Sequence, residues 1–233
     1  MSKRNVIITL VLMLLIVATT GFAADKYQWK LVDTEGSCQI YTSTVASKEF
    51  IAAKATCLIP AKMEVISTIL RDIESLPEWL HDCKEAKTLK VVDPENDVII
   101  FWIHQHITLF TDRDMVLKSR TELDLPKGLN FIYVDSTNDI PYDTGKGYVR
   151  MPSNHSEYIL EWIDRDHTKV TFINDPDLGK GIPAGLANPK IQELPYKSLK
   201  NMMKMVQNQK YIEAAKTNKY HKMAEDFMKA GHN

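Results

Sequence analysis

From Lys84 to Asn174 apolar and polar residues alternate with a period of two, in runs 84–92, 97–110, 113–124, 129–136, 146–151, 156–163 and 167–174. That period sends successive side chains to opposite faces of a pleated strand, so each run reads as a half-buried strand. Turn signals part them, notably Asp93-Pro94-Glu95-Asn96, Pro126-Lys127-Gly128 and Asp164-Arg165-Asp166. Strands at hairpin spacing with no helical pattern between them specify one antiparallel sheet, not β/α alternation. Two further strands, 37–45 and 49–59, come first. They are followed by a helical stripe through Met63, Ile66, Ile69, Leu70 and Ile73, and by Pro77 and Trp79 at a second short helix. After Pro189, the residues Ile191, Leu194, Leu199, Met202, Met203 and Val206 form a stripe at helix spacing. Pro195 inside that stripe starts the helix or kinks it. The expected class is α+β: a curved antiparallel sheet gripping a long C-terminal helix, with an apolar cavity between them.

The first 23 residues stand apart. Lys3 and Arg4 are followed by an apolar run, Val6 to Ala18, broken only by Thr9, and then by Gly21-Phe22-Ala23. The run falls short of the roughly 20 residues a spanning helix needs, so a cleaved signal peptide over 1–23 is expected rather than an anchor. The mature chain would begin near Ala24, with one domain over 24–209 and a helical or flexible tail over 210–233. Export to a periplasmic or secreted location follows. Without Lys3 and Arg4, 27 basic residues face 30 acidic ones, a net charge near −3. Nucleic-acid binders need a basic stripe, so that partner is not expected.

An oxidising compartment also changes how the cysteines read. A tight turn near Ser47-Lys48 would bring Cys38 opposite Cys57 on neighbouring strands, where a disulfide forms only if register and direction agree. The alternative is two small buried hydrophobes. Cys83 is left over, buried and inert.

Several short motifs then occur in a familiar order. They are Leu80 through Lys90 after Trp79; Asp112-Arg113-Asp114-Met115-Val116; and Lys146-Gly147-Tyr148-Val149-Arg150. Next come Lys169-Val170-Thr171-Phe172 leading to Asp177-Leu178-Gly179-Lys180-Gly181-Ile182-Pro183, and finally Ala187-Asn188. In these the chain resembles the START domain, the steroidogenic-acute-regulatory-protein-related lipid transfer family, over roughly residues 30–207, as an exported bacterial-type member. The resemblance implies a helix-grip fold that binds a lipid, with the loop Ser136 to Gly145 and the C-terminal helix gating the cavity. It gives Arg113 and Asp114 a structural role at a strand opening, where an Arg can bond backbone carbonyls; the alternative is a surface ion pair worth little. Gly179 and Gly181 allow a positive φ between the last strand and the helix, which Pro183 then stiffens.

Alternation proposes the cavity lining. Along 115–122 the even positions are Val116, Lys118, Arg120 and Glu122, so the odd set, Met115, Leu117 and Ser119 with Thr121, faces inward. The same reasoning offers Phe131 and Tyr133, and then Val149 and Met151, although both faces are apolar there. Phe172 and Leu178, with Ile191, Leu194, Leu199 and Met202 from the helix, complete the set; each could equally be plain core. Sterol-binding members of the family carry an inward Arg six residues after the Arg of the Arg-Asp pair. Here that place is Ser119, and Arg120 follows on the opposite face unless a bulge re-aims it.

Other constellations are weaker. His104 and His106 could share a strand face, but two ligands make no metal site. Asp135, Asp139, Asp143 and His155 could form an acid–base set, although acidic loop residues are usually solvated. The expected function is binding or transfer of a lipid or other apolar small molecule by a monomer, with transient membrane contact and no cofactor. The alternatives are a polyketide-cyclase-type enzyme on the same fold, which needs a titratable group in the cavity, and an interaction module with a filled core.

Overall fold

A computed structural model describes residues 26–232, so the expected signal peptide lies outside the described residues. The strands in chain order are β1 (Lys30–Glu35), β2 (Cys38–Ser43), β3 (Ala52–Ile59), β4 (Cys83–Asp93), β5 (Val98–Gln105) and β6 (Arg113–Asp124). They continue with β7 (Leu129–Ser136), β8 (Val149–Arg150), β9 (Ser153–Trp162) and β10 (Thr168–Asp177). Among the described residues they form one sheet in the order β1-β2-β3-β10-β9-β7-β6-β5-β4, with β8 pairing β6 in parallel beside that path. The fold is of the expected α+β class, one antiparallel sheet with a long C-terminal helix.

The helices are α1 (Met63–Arg71), α2 (Leu76–Trp79), α3 (Ala184–Met205), α4 (Gln209–Ala214) and α5 (Lys219–Lys229). α1 and α2 fill the connection between β3 and β4, and α3 packs along β3 and β10. The concave face of the sheet, α1, α2 and α3 share one apolar core, which Ile59, Ile66, Leu160, Phe172, Leu199 and Met202 help build.

Cys38 lies directly opposite Cys57 in the β2–β3 ladder, and the two are joined by a disulfide. Cys83 is buried and free, and burial pushes its thiol up to about 12.

Several elements depart from the sequence reading. β1 went unread because all six of its residues are exposed, so its sequence carries no alternation to reveal it. The run 97–110 ends as a strand at Gln105. Asp112 pulls the following segment out of the sheet by accepting from the Ile107 amide at 3.0 Å and bonding His104 and His106. Leu109 there takes a positive φ of 72°. α3 begins at Ala184, not at Pro195, and carries Pro189 and Pro195 within it. Each proline forfeits a helix hydrogen bond, but burial of Ala187, Ile191, Leu194 and Pro195 itself along one side keeps the helix running.

The tail is helical and packed. Tyr211, Tyr220, Met223 and Phe227 are buried in the same core as the sheet.

Candidate functional site

The inner face of the sheet, α1, α2 and α3 enclose a cavity of about 70 Å³. Its middle is apolar, walled by Trp79, Phe101, Leu117, Ile132, Tyr158 and Phe172. One end is polar, with Ser67, Arg71, Asp97, Ser119, Thr121, Asn130 and Tyr220. Arg71 Nε and Asp97 Oδ1 stand 2.7 Å apart, and the Tyr220 hydroxyl donates to Asp97 Oδ2 at 2.7 Å. A second polar strip runs through Asn154, Ser156 and Asn174, linked by bonds of 3.0 and 3.1 Å. Trp79 Nε1 and Asn130 Oδ1 are buried in this wall without a protein partner. Buried polar atoms are nearly always bonded, so each can take a hydrogen bond from outside the protein.

Gln105, Asn174 and Leu194 also line a neighbouring cavity of about 180 Å³, between residues 105–110 and the N-terminal half of α3. Leu178, Ile182 and Ile191 form its wall. Leu109 and Leu186 rim it at 93% and 60% exposure, the barest large apolar side chains among the described residues. The two spaces meet at the shared residues Gln105, Asn174 and Leu194, and the second, at the exposed rim, is termed the mouth.

Met115, Leu117, Ser119, Phe172 and Leu194 line the inner cavity, and Leu178 and Ile191 line the mouth. Leu199 and Met202 are fully buried and Met151 nearly so, all in the surrounding core. Val149 is half-buried beside Arg113 in the β6–β8 pair. Phe131 and Tyr133 are corrected: the cavity side of β7 is Asn130, Ile132 and Val134. Directly opposed residues share a face, and Phe131 pairs with Glu122 and Tyr133 with Arg120, both water-facing. Counting across the Asp124–Leu129 turn would have shown this.

β6 pairs with β5 and β7 without a register shift, so no bulge turns Arg120 inward. Its guanidinium lies 4.0 Å from the centre of the Tyr133 ring and pairs with Glu122. Ser119 faces the cavity, with its hydroxyl donated to the Asp97 carbonyl at 2.8 Å.

The Arg113 guanidinium is buried and bonds only backbone carbonyls: Leu178 at 3.2 Å, Lys180 at 3.0 Å, and Thr111. It ties the opening of β6 to the β10–α3 turn, where Gly179 and Gly181 take φ of 72° and 93° and Pro183 precedes the first turn of α3. Asp114 accepts from Arg150 Nε at 2.9 Å, from Arg150 Nη2 at 2.8 Å and from Trp102 Nε1 at 2.8 Å. Burial alone would raise its carboxyl, but these bonds hold it below the usual range.

The expected gate is also corrected. Ile140, Tyr142 and Tyr148 fold over Ile100, Trp102 and Val116 on the outer face of the sheet, and no residue of Ser136–Gly145 lines the cavity. Trp102 and Val116 supply an apolar outer patch that holds this loop away from the mouth. Segment 105–110, with α3, occupies the rim instead.

His104 and His106 both bond the Asp112 carboxylate, at 2.7 and 2.9 Å, and the His104 ring stacks on Tyr148 at 4.1 Å. Among the described residues no group of three or more His, Cys, Asp or Glu is placed to hold a metal ion. Asp135 bonds His155 at 2.6 Å, Asp139 bonds Lys118 at 2.8 Å and Asp143 caps a turn at Gly145. These groups do not converge, and none lines the cavity. The titratable groups that do are Arg71, Asp97, Tyr158 and Tyr220, which sequence reasoning missed. Burial raises both tyrosine hydroxyls far above their ordinary value, so they stay neutral.

A sheet wrapped on a long helix around an apolar cavity is the geometry of a protein that encloses a hydrophobic ligand. The family model of the START domain matches residues 17–212, and the chain belongs to that family. Its fold is similar to that of a STAR-related lipid transfer protein from Xanthomonas axonopodis, at 22% identity, 77% of this chain, 99% of the other and a TM-score of 0.69. Human STARD10 is similar at 18% identity, 83% and 78% coverage and a TM-score of 0.67. An uncharacterized protein of Pseudomonas aeruginosa is 28% identical over 190 residues, covering 80% of this chain and 89% of that protein. START domains bind lipids or other hydrophobic ligands, and the class of this protein follows from that membership.

Proposed function

We propose that this chain is exported and there carries a lipid or similar amphiphile as a monomer, taking it up and releasing it through the mouth beside α3. The observation that carries the reading is the wall itself. An apolar middle stands between polar ends, with an indole N–H and an amide oxygen buried and unpartnered. That chemistry suits an amphiphile better than a packed core does. A cavity of about 70 Å³ holds roughly five waters, at ~10–15 Å³ each. The described state is therefore closed, and loading displaces segment 105–110 and α3 outward. Enclosing several hundred Å² of lipid at ~25 cal/mol per Å² yields on the order of 10 kcal/mol gross, from which the opening is supplied.

Leu109 and Leu186, bare at the rim, support transient membrane contact during that exchange. Ser119 in the inward place leaves a sterol hydroxyl without the charged partner that position provides elsewhere in the family, which favours acyl-chain lipids. Asp97 is engaged by Arg71, Lys219 and Tyr220, so the cavity offers no free acid–base pair, and carriage is favoured over the cyclase-type alternative.

The test is transfer of a fluorescent phospholipid from donor to acceptor vesicles. Transfer in proportion to protein concentration is expected. A rate equal to that of vesicles alone would contradict the reading.

A further inference from the structure

The inner cavity and the mouth share Gln105, Asn174 and Leu194, so two of the three side chains at their junction are amides. Asn174 is one end of a buried polar chain across β9 and β10. Asn154 Nδ2 donates to Ser156 Oγ at 3.0 Å, and that hydroxyl donates to Asn174 Oδ1 at 3.1 Å. A serine hydroxyl has one proton, so the chain runs in one direction. It leaves Asn154 Oδ1 as an acceptor and Asn174 Nδ2 as a donor without a partner among the described residues. Turning both amides over reverses the chain and exchanges the two roles. The strip still presents one carbonyl and one N–H.

Its surroundings are apolar on both sides. Val134, Ser156 and Asn174 form one rung across β7, β9 and β10, and the next rung inward is Ile132, Tyr158 and Phe172. Beyond the junction lie Leu178, Ile182 and Ile191 of the mouth. None of Gln105, Asn154, Ser156 and Asn174 is charged. The charged end of the cavity is a separate place, since Asn130 stands four residues from Val134 along β7, or roughly 13 Å at ~3.3 Å per residue. Its ions are already matched, with Arg71, Lys219 and Tyr220 all on the Asp97 carboxylate.

We infer that the Asn154–Ser156–Asn174 strip binds the polar group of an uncharged lipid, one with a hydrogen-bond donor and acceptor side by side and an apolar chain on either side of them. That describes an N-acyl amide or a diacylglycerol, and the inference rests on the lipid-binding reading. One chain lies against Ile132, Tyr158 and Phe172, and the other runs out toward the mouth. A phosphate on the strip would be desolvated with no cation beside it. A plain ester would leave the strip's free carbonyl unpaired.

The test equilibrates the full-length chain with phosphatidylcholine vesicles that hold equal amounts of N-oleyl oleamide, oleyl oleate, dioleoylglycerol and dioleoyl phosphatidic acid. The protein is then separated and its bound lipids are quantified by mass spectrometry. The amide and the wax ester differ only in N–H against O. The amide should be enriched about tenfold over the ester, and dioleoylglycerol by at least as much over its phosphate, the worth of about one buried hydrogen bond. Asn154→Leu and Asn174→Leu should differ in effect. Loss of the acceptor abolishes the amide preference, whereas loss of the donor lowers amide and ester alike. Where neither variant folds, the wild-type ratios decide. Equal uptake of amide and ester by the wild type overturns the inference, as does phosphatidic acid bound as well as dioleoylglycerol, or an amide preference that survives both substitutions. A wild-type chain that takes up none of these lipids, phosphatidylcholine included, instead sinks the carrier reading itself.

Discussion

Replacing Arg113 by Met tests how the mouth is held. The buried guanidinium is the donor for three carbonyls, those of Thr111, Leu178 and Lys180. Met fills similar space and relieves the desolvation of a charge, a gain that partly offsets the loss. It leaves those carbonyls unpaired, at ~1–3 kcal/mol for each that water cannot reach. Two of the three bonds are only part-buried, so the net cost should be about 3 kcal/mol. For a domain of this size that lowers the melting temperature by roughly 10 °C. Leu178 lines the mouth and Lys180 sits in the turn that leads into α3, so bound lipid should also leave faster. Urea unfolding with an unchanged m-value, together with dissociation of a fluorescent lipid, reads both effects. A stability loss below about 1 kcal/mol, or an unchanged off-rate, would refute the argument that this one side chain fastens β6 to the β10–α3 turn.

Reduction of the Cys38–Cys57 bond, which closes a separation of 19 residues, should cost about 3 kcal/mol, visible as a lower urea midpoint in dithiothreitol. Asp175, with no side-chain exposure, is shifted upward by burial but held below the ordinary range by Lys26 and Lys48 at 2.8 and 2.6 Å. A carboxyl depressed in the folded state stabilises the fold above its unfolded pKa and loses that contribution as pH falls through the folded value. Asp175→Asn should therefore destabilise at pH 7 and converge with wild type at low pH, a convergence that acid titration of stability checks. Leu109→Asp with Leu186→Asp should slow vesicle transfer several-fold while leaving the melting temperature within about 2 °C, because both side chains are bare.

Legibility followed what each residue had to face. β6 could be read because Lys118, Arg120 and Glu122 must meet water, which sends Met115, Leu117 and Ser119 inward. β7 has apolar residues on both faces, so alternation alone misassigned Phe131 and Tyr133, although the register against Arg120 and Glu122 held the answer. The rim segment looked like strand because Ile107, Leu109 and Phe110 are apolar; their place comes from the Asp112 carboxylate, a contact that no period reveals. The polar end of the cavity joins Arg71 of α1, Asp97 of the β4–β5 turn, Asn130 of β7 and Tyr220 of α5, and only the folded chain brings them together.

The most direct test of the central claim is native mass spectrometry, with organic extraction, on the protein purified from the cells that produce it. The account predicts a co-purifying lipid of defined mass, in a one-to-one complex, that carries an acyl chain rather than a sterol ring. Protein that stays ligand-free there, and again after incubation with mixed lipid vesicles, would contradict it.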